Sequence, residues 1–172
     1  MTSTGLWDGE HLELIDGELI NKMGKNDPHL WTVMVLHEWL VSIFGFRCVL
    51  KEDPIDVASE DNEHSEPEPD LVVLRQPRTR PKMKPRPTDI LLIVEVADST
   101  RSFDLTKKAD LYARAGTADY WVFDTNKREI IVHRDPINGK YASIAVYRSD
   151  ETVAPLAAPE QGFKIRDAFD GF

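Results

Sequence analysis

Cysteine is nearly absent from this chain, since Cys48 is the only one among 172 residues. A single thiol cannot form an intramolecular disulfide, and it cannot supply the several ligands of a cysteine-based zinc site. Proteins without disulfides are typical of reducing compartments, so we expect this one in the cytoplasm. A chain of this length is expected to form one domain, residues 1–172, with a hydrophobic core that needs no disulfide.

Long apolar runs and targeting signals are also lacking. The most apolar stretch, residues 30–46, is interrupted by His37, Glu38 and Ser42, and it is shorter than the roughly 20 apolar residues of a membrane-spanning helix. We therefore predict a core helix there and no membrane partner. The N-terminus, MTSTGLWDGEHLELIDGE, is polar and acidic. Since a secretory signal is basic and then apolar, we predict no such signal.

Basic residues are outnumbered, and the net charge of −9 argues at first against a nucleic-acid partner. The excess of acid lies in one segment, however, because residues 52–70 carry nine acidic residues and no Lys or Arg. The following basic segment, residues 75–87, has six Lys or Arg, four prolines and no acid. Net charge therefore does not exclude DNA, and this segment is a candidate contact for backbone phosphates. Alternatively, it is a solvated loop that pairs with the acidic segment.

The hydrophobic pattern predicts an α/β (α+β) domain. Two alternating runs around Asp16-Gly17 predict an N-terminal hairpin, and the helical period of residues 29–44 predicts the core helix. Residues 90–96 are almost continuously apolar, as in a central strand that is covered on both faces. A second helix is predicted at 102–115. Further strands are predicted at 46–51, 70–74, 119–124, 129–134 and 141–147, the last three as a C-terminal meander.

Two acidic residues stand in strands where apolar residues are expected. Glu95 lies inside the most apolar predicted strand, and a buried carboxylate needs a metal ion, a cation or a raised pKa. Alternatively, Glu95 sits at the strand end and reaches solvent. Asp70 opens the strand at 70–74, and by itself it is also compatible with a simple turn residue.

Lys108 is the third charged residue in an unexpected place. In the second predicted helix it shares a face with Leu111 and Tyr112, so it points toward the sheet, whereas Lys107 falls to the side. Asp104 and Tyr112 lie on the same face and would hold the ammonium in place. The alternatives are a lysine that extends to solvent along an apolar surface, a pair with Asp104, or a register error that puts Lys107 in this place.

Two strand acids and a lysine on the following helix are the groups that a divalent-cation phosphodiesterase needs. Mg²⁺ binds carboxylate oxygens, usually one or two, while water and substrate phosphate fill its other positions. The metal activates a water molecule and neutralises charge on the scissile phosphate. A nearby ammonium can stabilise the negative charge that develops in the transition state.

The order of these residues also resembles a known family. The strings PEPDLVVL and ILLIVEVADSTRSFDLTKKADLYARAGTADYWVFD, with the early ELIDGEL, are similar to the Uma-type endonuclease family of the PD-(D/E)xK nuclease superfamily. The resemblance implies a restriction endonuclease-like core, a mixed β-sheet flanked by helices. It also implies a Mg²⁺-dependent (or Mn²⁺-dependent) endonuclease that hydrolyses phosphodiester bonds of DNA.

The resemblance can be carried over to individual metal ligands. Pro69 and Asp70 match the PD motif, so Asp70 would bind the metal. Glu95 matches the second acid and would bind it as well. The backbone carbonyl of Val96 would be a further ligand.

The resemblance also gives a lysine and a third acid, but the lysine is not at the position that is usual in the superfamily. The superfamily's lysine often lies two residues after the second acid, but that position is Ala97 here. The resemblance is to members whose lysine lies on the following helix, where Lys108 fits. Glu18 in the hairpin resembles a third acid near such sites, although an exposed hairpin glutamate is the commoner arrangement. His29, which opens the first predicted helix, is also similar to the family, and we interpret it as a helix-start or packing residue.

Two other readings of the same residues remain. The acidic surplus and Ala97 also suit a catalytically inactive nuclease-fold module that binds a partner, because a fold does not fix a function. Alternatively, Glu95 and Lys108 form a purely structural ion pair. The aromatic residues near the C-terminus suit either a homodimer surface or the core: Tyr120, Trp121, Phe123, Tyr141 and Tyr147.

Overall fold

A computed structural model describes residues 11–22, 25–81 and 83–172 of the chain. The prediction drawn from residues 1–10, that they carry no secretory signal, lies outside this range. Within the described part, six strands form the main sheet in the order β3-β4-β5-β6-β7-β8. Only β5 and β6 are parallel neighbours in it, so the sheet is mixed, as expected. These strands are β3 (Val49–Lys51), β4 (Leu71–Leu74), β5 (Ile90–Ala97), β6 (Asp119–Asp124), β7 (Glu129–Ile137) and β8 (Lys140–Arg148).

The N-terminal hairpin forms as predicted, from β1 (His11–Ile15) and β2 (Glu18–Lys22). Its turn residues Asp16 and Gly17 have φ of 48° and 78°. Positive φ at both positions gives the tight turn that suits the twist of a two-stranded ribbon. Leu14 bridges to Glu66, and the Gly17 amide donates to the His64 carbonyl at 2.7 Å. The hairpin is therefore docked onto the acidic segment.

The core helix α1 runs from Asp27 to Phe44 and confirms the predicted helix at 29–44. Asn26 caps it by accepting a hydrogen bond from the His29 amide at 3.0 Å, which satisfies one of the free N–H groups of the first turn. Gly45, with φ of 88°, ends it. This start places His29 at the end of α1 that lies near the beginning of β4.

The second predicted helix is present but interrupted. It is α-helical at Arg101–Phe103 and Ala109–Arg114, and it forms a π-helical turn at Asp104–Lys108. The Tyr120 hydroxyl donates to the Asp104 carbonyl at 2.9 Å, so a carbonyl within this wider turn is satisfied from outside the helix. Single π turns of this kind occur frequently at functional sites. We call the whole segment, residues 101–114, the interrupted helix.

The sheet separates two apolar cores. One core packs α1 and the C-terminal residues against side chains such as Leu71, Val94 and Trp121. The other packs the interrupted helix and Ile15 against residues of the opposite face, such as Ile93 and Tyr120. β5 is therefore covered on both faces, as its unbroken apolar sequence predicted.

Two parts of the chain, residues 46–51 and the segment after β8, differ in detail from the prediction. The predicted strand at 46–51 is shorter, because Phe46–Cys48 form a 3-10 turn. After β8, two short strands, β9 (Thr152–Val153) and β10 (Phe163–Lys164), make a separate small sheet. Four of the aromatic residues considered for a dimer surface are buried in the chain itself: Tyr120, Trp121, Phe123 and Tyr141. None of the helices described is both long and apolar enough to cross a bilayer.

Candidate functional site

The structure brings Asp70, Glu95 and Lys108 together in one cleft. β4 and β5 are antiparallel, and Leu71 pairs with Val94. The start of one strand therefore meets the end of the other, which puts both acids at the same end of the sheet. All three side chains are almost completely buried.

Asp70 is held by the neighbouring strand. Its Oδ2 accepts a hydrogen bond from the Val96 amide at 2.8 Å. Its Oδ1 lies 3.3 Å from His29 Nε2, yet neither atom has a hydrogen bond of acceptable geometry among the described residues. Burial by itself would raise the pKa of Asp70, but Lys22, His29 and the Val96 amide together hold it well below its usual range. Asp70 therefore offers a charged, unsatisfied oxygen to the cleft.

Glu95 faces the interrupted helix because strand side chains alternate, and Ile93 and Ala97 belong to that same face. Its Oε1 accepts from Lys108 Nζ at 2.9 Å and from the Tyr112 hydroxyl at 3.2 Å. Burial raises the pKa of Glu95 to about 8, against the lowering effect of Lys108 and other nearby cations. The alternative in which Glu95 reaches solvent is thus wrong.

Lys108, rather than Lys107, points at the sheet. Its side chain is only 2% exposed, and its Nζ lies 2.8 Å from Glu13 Oε2, 2.9 Å from Glu95 Oε1 and 3.6 Å from Asp104 Oδ1. Burial lowers the pKa of this ammonium, but the three carboxylates outweigh burial and raise it above its usual range. Lys108 is therefore charged at neutral pH.

Glu18, expected as a third acid of the site, lies outside this cluster. Its carboxylate is 62% exposed and pairs with Lys107 on the protein surface at 2.9 Å. Glu18 is opposite Ile15 in the hairpin, next to the turn, whereas Glu13 is opposite Ile20 and one side-chain step nearer the sheet. Glu13 is buried and occupies the place in the cluster that the sequence reading gave to Glu18.

Two further residues of the cluster were not recognised in the sequence. Lys22 Nζ donates to the Glu68 carbonyl, and it lies 3.7 Å from Asp70 Oδ1, 3.8 Å from Glu13 Oε1 and 4.0 Å from Glu95 Oε2. His29, read from the sequence as a helix-start or packing residue, directs its ring at Asp70. The alternation that carries Ile20 toward the sheet also carries Lys22, so a signal for Lys22 was present.

The donor atoms suit a hard divalent cation. No group of three His, Cys, Asp or Glu side chains that could hold a metal ion occurs among residues 11–22, 25–81 and 83–172. Mg²⁺ commonly takes only one or two protein carboxylates, however, and Asp70 Oδ1 is buried without a hydrogen-bond partner there. Asp70 and Glu95 also share a cationic neighbour in Lys22. Val96 lines the cleft, and its N–H fixes Asp70.

The basic segment pairs in part with the acidic segment before it. Arg78 Nη1 lies 2.9 Å from Asp53 Oδ2, and Lys84 pairs with Glu66. This arrangement agrees with the alternative that the two segments neutralise each other. Of the cations in the basic segment, Arg78 and Lys84 are the ones described as pairing with the acidic segment.

Comparison with known proteins finds a family model that matches this chain and a solved structure with a similar fold. A family model described as "Uma2: Putative restriction endonuclease" matches residues 6–166. A crystal structure of a putative nuclease belonging to DUF820 from Anabaena variabilis is similar to this chain, with a TM-score of 0.74 and 19% sequence identity over 92% of this chain and 89% of that one. At this identity the likeness establishes the shared fold alone. No curated protein matches this chain.

Proposed function

This chain belongs to the Uma2 family, whose model carries the description "Putative restriction endonuclease". We propose that it is a Mg²⁺-dependent (or Mn²⁺-dependent) endonuclease that hydrolyses phosphodiester bonds of DNA. The observation that carries the proposal is the convergence of Asp70, Glu95 and Lys108 on one cleft. Buried charged groups of this kind are costly, and they are retained mainly where function needs them.

Asp70 and Glu95 are the residues that would hold the metal, with the Val96 carbonyl as a further candidate. When bound, such a metal lowers the pKa of a water molecule and offsets the charge of the scissile phosphate. The Val96 amide fixes one oxygen of Asp70, which leaves the other oxygen directed at the cleft. Asp70 is thereby preorganised as a ligand.

Lys108 supplies a fixed positive charge. Glu13 and Asp104 hold its ammonium from two sides, so the ammonium needs little reorganisation when negative charge develops on a bound phosphate. Preorganised charge in a site with little water contributes strongly to transition-state stabilisation. The Tyr112 hydroxyl orients Glu95 from the same helix face.

DNA is the proposed partner, through the metal site and the basic segment. Lys and Arg side chains neutralise backbone phosphates, and the affinity then falls steeply with rising salt.

The homodimer also stays a prediction. It would use the sheet edge at β8, where Ile144 and Val146 are exposed, and sedimentation of the purified chain tests it.

Cleavage of supercoiled plasmid by the full chain tests the nuclease proposal. We expect nicking with Mg²⁺ or Mn²⁺ and no nicking with EDTA. Glu95→Gln and Asp70→Asn should each lower the nicking rate at least 100-fold, which is the order of loss found when a single catalytic electrostatic group is removed. Lys107→Met is the matched control, since its ammonium is on the surface, and it should cleave like the wild type. Circular dichroism verifies that each variant folds. If the wild type cuts no DNA and binds neither metal, the nuclease proposal is wrong.

One observation favours the binding module as a second candidate. Lys108 and Lys22 already contact the buried acidic groups, so these groups have cationic partners without any ligand. Calorimetric titration with Mn²⁺ separates the two functions, because a module without a metal site gives no heat of binding. If the pair of Glu95 and Lys108 is purely structural, the double change Glu95→Leu and Lys108→Met should cost no activity in the folded protein, although it lowers stability because Lys108 also pairs with Glu13 and Asp104.

A further inference from the structure

A second cleft, of about 510 Å³, lies beside β3 at the far end of α1 from His29. It is lined by residues of α1, of the turn and strand at 46–51 and of the basic segment, and by Asp53. Arg47, Lys51, Arg78 and Arg80 contribute four positive charges to its lining, against the single acid Asp53. The cleft is therefore strongly cationic although the whole chain is acidic.

Most of these cations are not neutralised. Arg78 pairs with Asp53, but Arg47, Lys51 and Arg80 form no ion pair within the part of the chain that the structure describes. Arg47 Nε instead donates to the Arg78 carbonyl at 3.1 Å, and the Arg78 amide donates to the Arg47 carbonyl at 2.8 Å. These two hydrogen bonds hold the walls of the cleft together. Three unpaired cations on a fixed frame suit a polyanionic ligand.

An exposed aromatic ring lies among these charges. Phe46 lines the same cleft, and it is 74% exposed, more than any other large apolar residue described. The 3-10 turn Phe46–Cys48 fixes its backbone. Cations that track phosphates beside an aromatic ring that stacks on a base are the combination by which proteins bind single-stranded nucleic acid.

We propose that this cleft binds a single-stranded segment of nucleic acid, with phosphates against Arg47, Lys51 and Arg80 and an unpaired base stacked on Phe46. The inference rests on the nuclease function proposed above, and it names the form of nucleic acid held beside the cleavage site. Lys51 pairs with Leu71, the residue that follows Asp70. Since neighbouring strands are about 4.8 Å apart, the backbone at Lys51 lies one strand away from Asp70 and two strands away from Glu95.

Fluorescence anisotropy of the full chain carrying Glu95→Gln, which prevents cleavage, tests this inference. The probes are a labelled 12-nucleotide oligo(dT) and a 12-base-pair duplex, each titrated between 50 and 200 mM salt. We expect tighter binding of oligo(dT), at least fivefold weaker binding in Phe46→Ala, and recovery in Phe46→Trp. Arg47→Ala and Arg80→Ala should each lower the salt slope for oligo(dT) by about 0.7.

Lys140→Ala is the matched control, because Lys140 is an exposed cation that pairs with Asp110 outside this cleft and outside the basic segment. It should bind oligo(dT) like the parent, and thermal melting verifies that all variants fold. Equal affinities of Phe46→Ala and the parent, or tighter binding of the duplex, overturn the inference even if plasmid is cleaved. Oligo(dT) binding that depends on Phe46 in a chain that never cleaves DNA supports the inference and overturns the nuclease proposal instead.

Discussion

Lys22 is the residue whose replacement tests the candidate metal site most directly. Its ammonium lies within 4.0 Å of carboxylate oxygens of Glu13, Asp70 and Glu95. A divalent cation that uses Asp70 and Glu95 therefore has a positive charge as its immediate neighbour. We expect Lys22→Met, which keeps the length of the side chain and removes its charge, to bind Mn²⁺ more tightly than the wild type.

The size of the effect follows from these distances. Two unit charges 4 Å apart near a protein surface interact by about 4 kcal/mol, so a divalent ion and an ammonium repel each other by about 8 kcal/mol at most. Lys22 can relieve much of this repulsion by turning outward, because its side chain is 13% exposed. If one fifth of the repulsion remains, Lys22→Met gains about tenfold in affinity.

Protonation of Glu95 acts in the opposite direction. Burial raises the pKa of Glu95 to about 8, so metal binding at pH 7 must displace a proton, and the affinity should increase with pH. Lys22 is one of the cations that lower this pKa. Its removal therefore strengthens proton competition, and the gain in Lys22→Met should be larger at pH 8.5 than at pH 7.

Isothermal titration with Mn²⁺ under nitrogen, at both pH values, measures these affinities. Lys107→Met, which lies on the surface and pairs with Glu18, is the control and should match the wild type. Equal or weaker Mn²⁺ binding by Lys22→Met at pH 8.5 would refute the reasoning, because the metal would then lie away from the three carboxylates.

Three further predictions concern stability. Lys108→Met leaves the buried Glu95 without its main partner and should lower the free energy of unfolding by about 3 kcal/mol; a urea denaturation loss under 1 kcal/mol would contradict this. Asp119→Ala removes the acceptor of four hydrogen bonds, including those from Trp121 Nε1 at 2.7 Å and Arg134 Nε at 2.9 Å, and should cost about 3 kcal/mol in the same assay. Burial lowers the pKa of His133, so its stabilising contribution is complete above about pH 6.5 and is lost as the pH falls toward the folded pKa, at up to about 1.4 kcal/mol per unit. His133→Gln should make the loss of stability between pH 7 and 5 smaller, and an unchanged slope would exclude this cause.

Much of the fold and part of the site could be predicted from local patterns. The apolar run of β5 predicted a strand covered on both faces, and the period of the second helix predicted that Lys108 rather than Lys107 faces the sheet. Such patterns are informative because side chains alternate along a strand and repeat every 3.6 residues along a helix, whatever the rest of the chain does. Burial of Glu95 followed from the same reasoning.

Other features of the site were decided only by the tertiary structure. Glu13 and Glu18 belong to the same hairpin face, and only the docking of Leu14 onto Glu66 brings Glu13 to the cluster and leaves Glu18 at the surface. The position of His29 beside Asp70 likewise depends on how α1 packs across the sheet. The sequence by itself determined which residues share a face, because that depends on backbone periodicity. Which faces meet depends on contacts between segments far apart in the chain, and only the folded structure contains them.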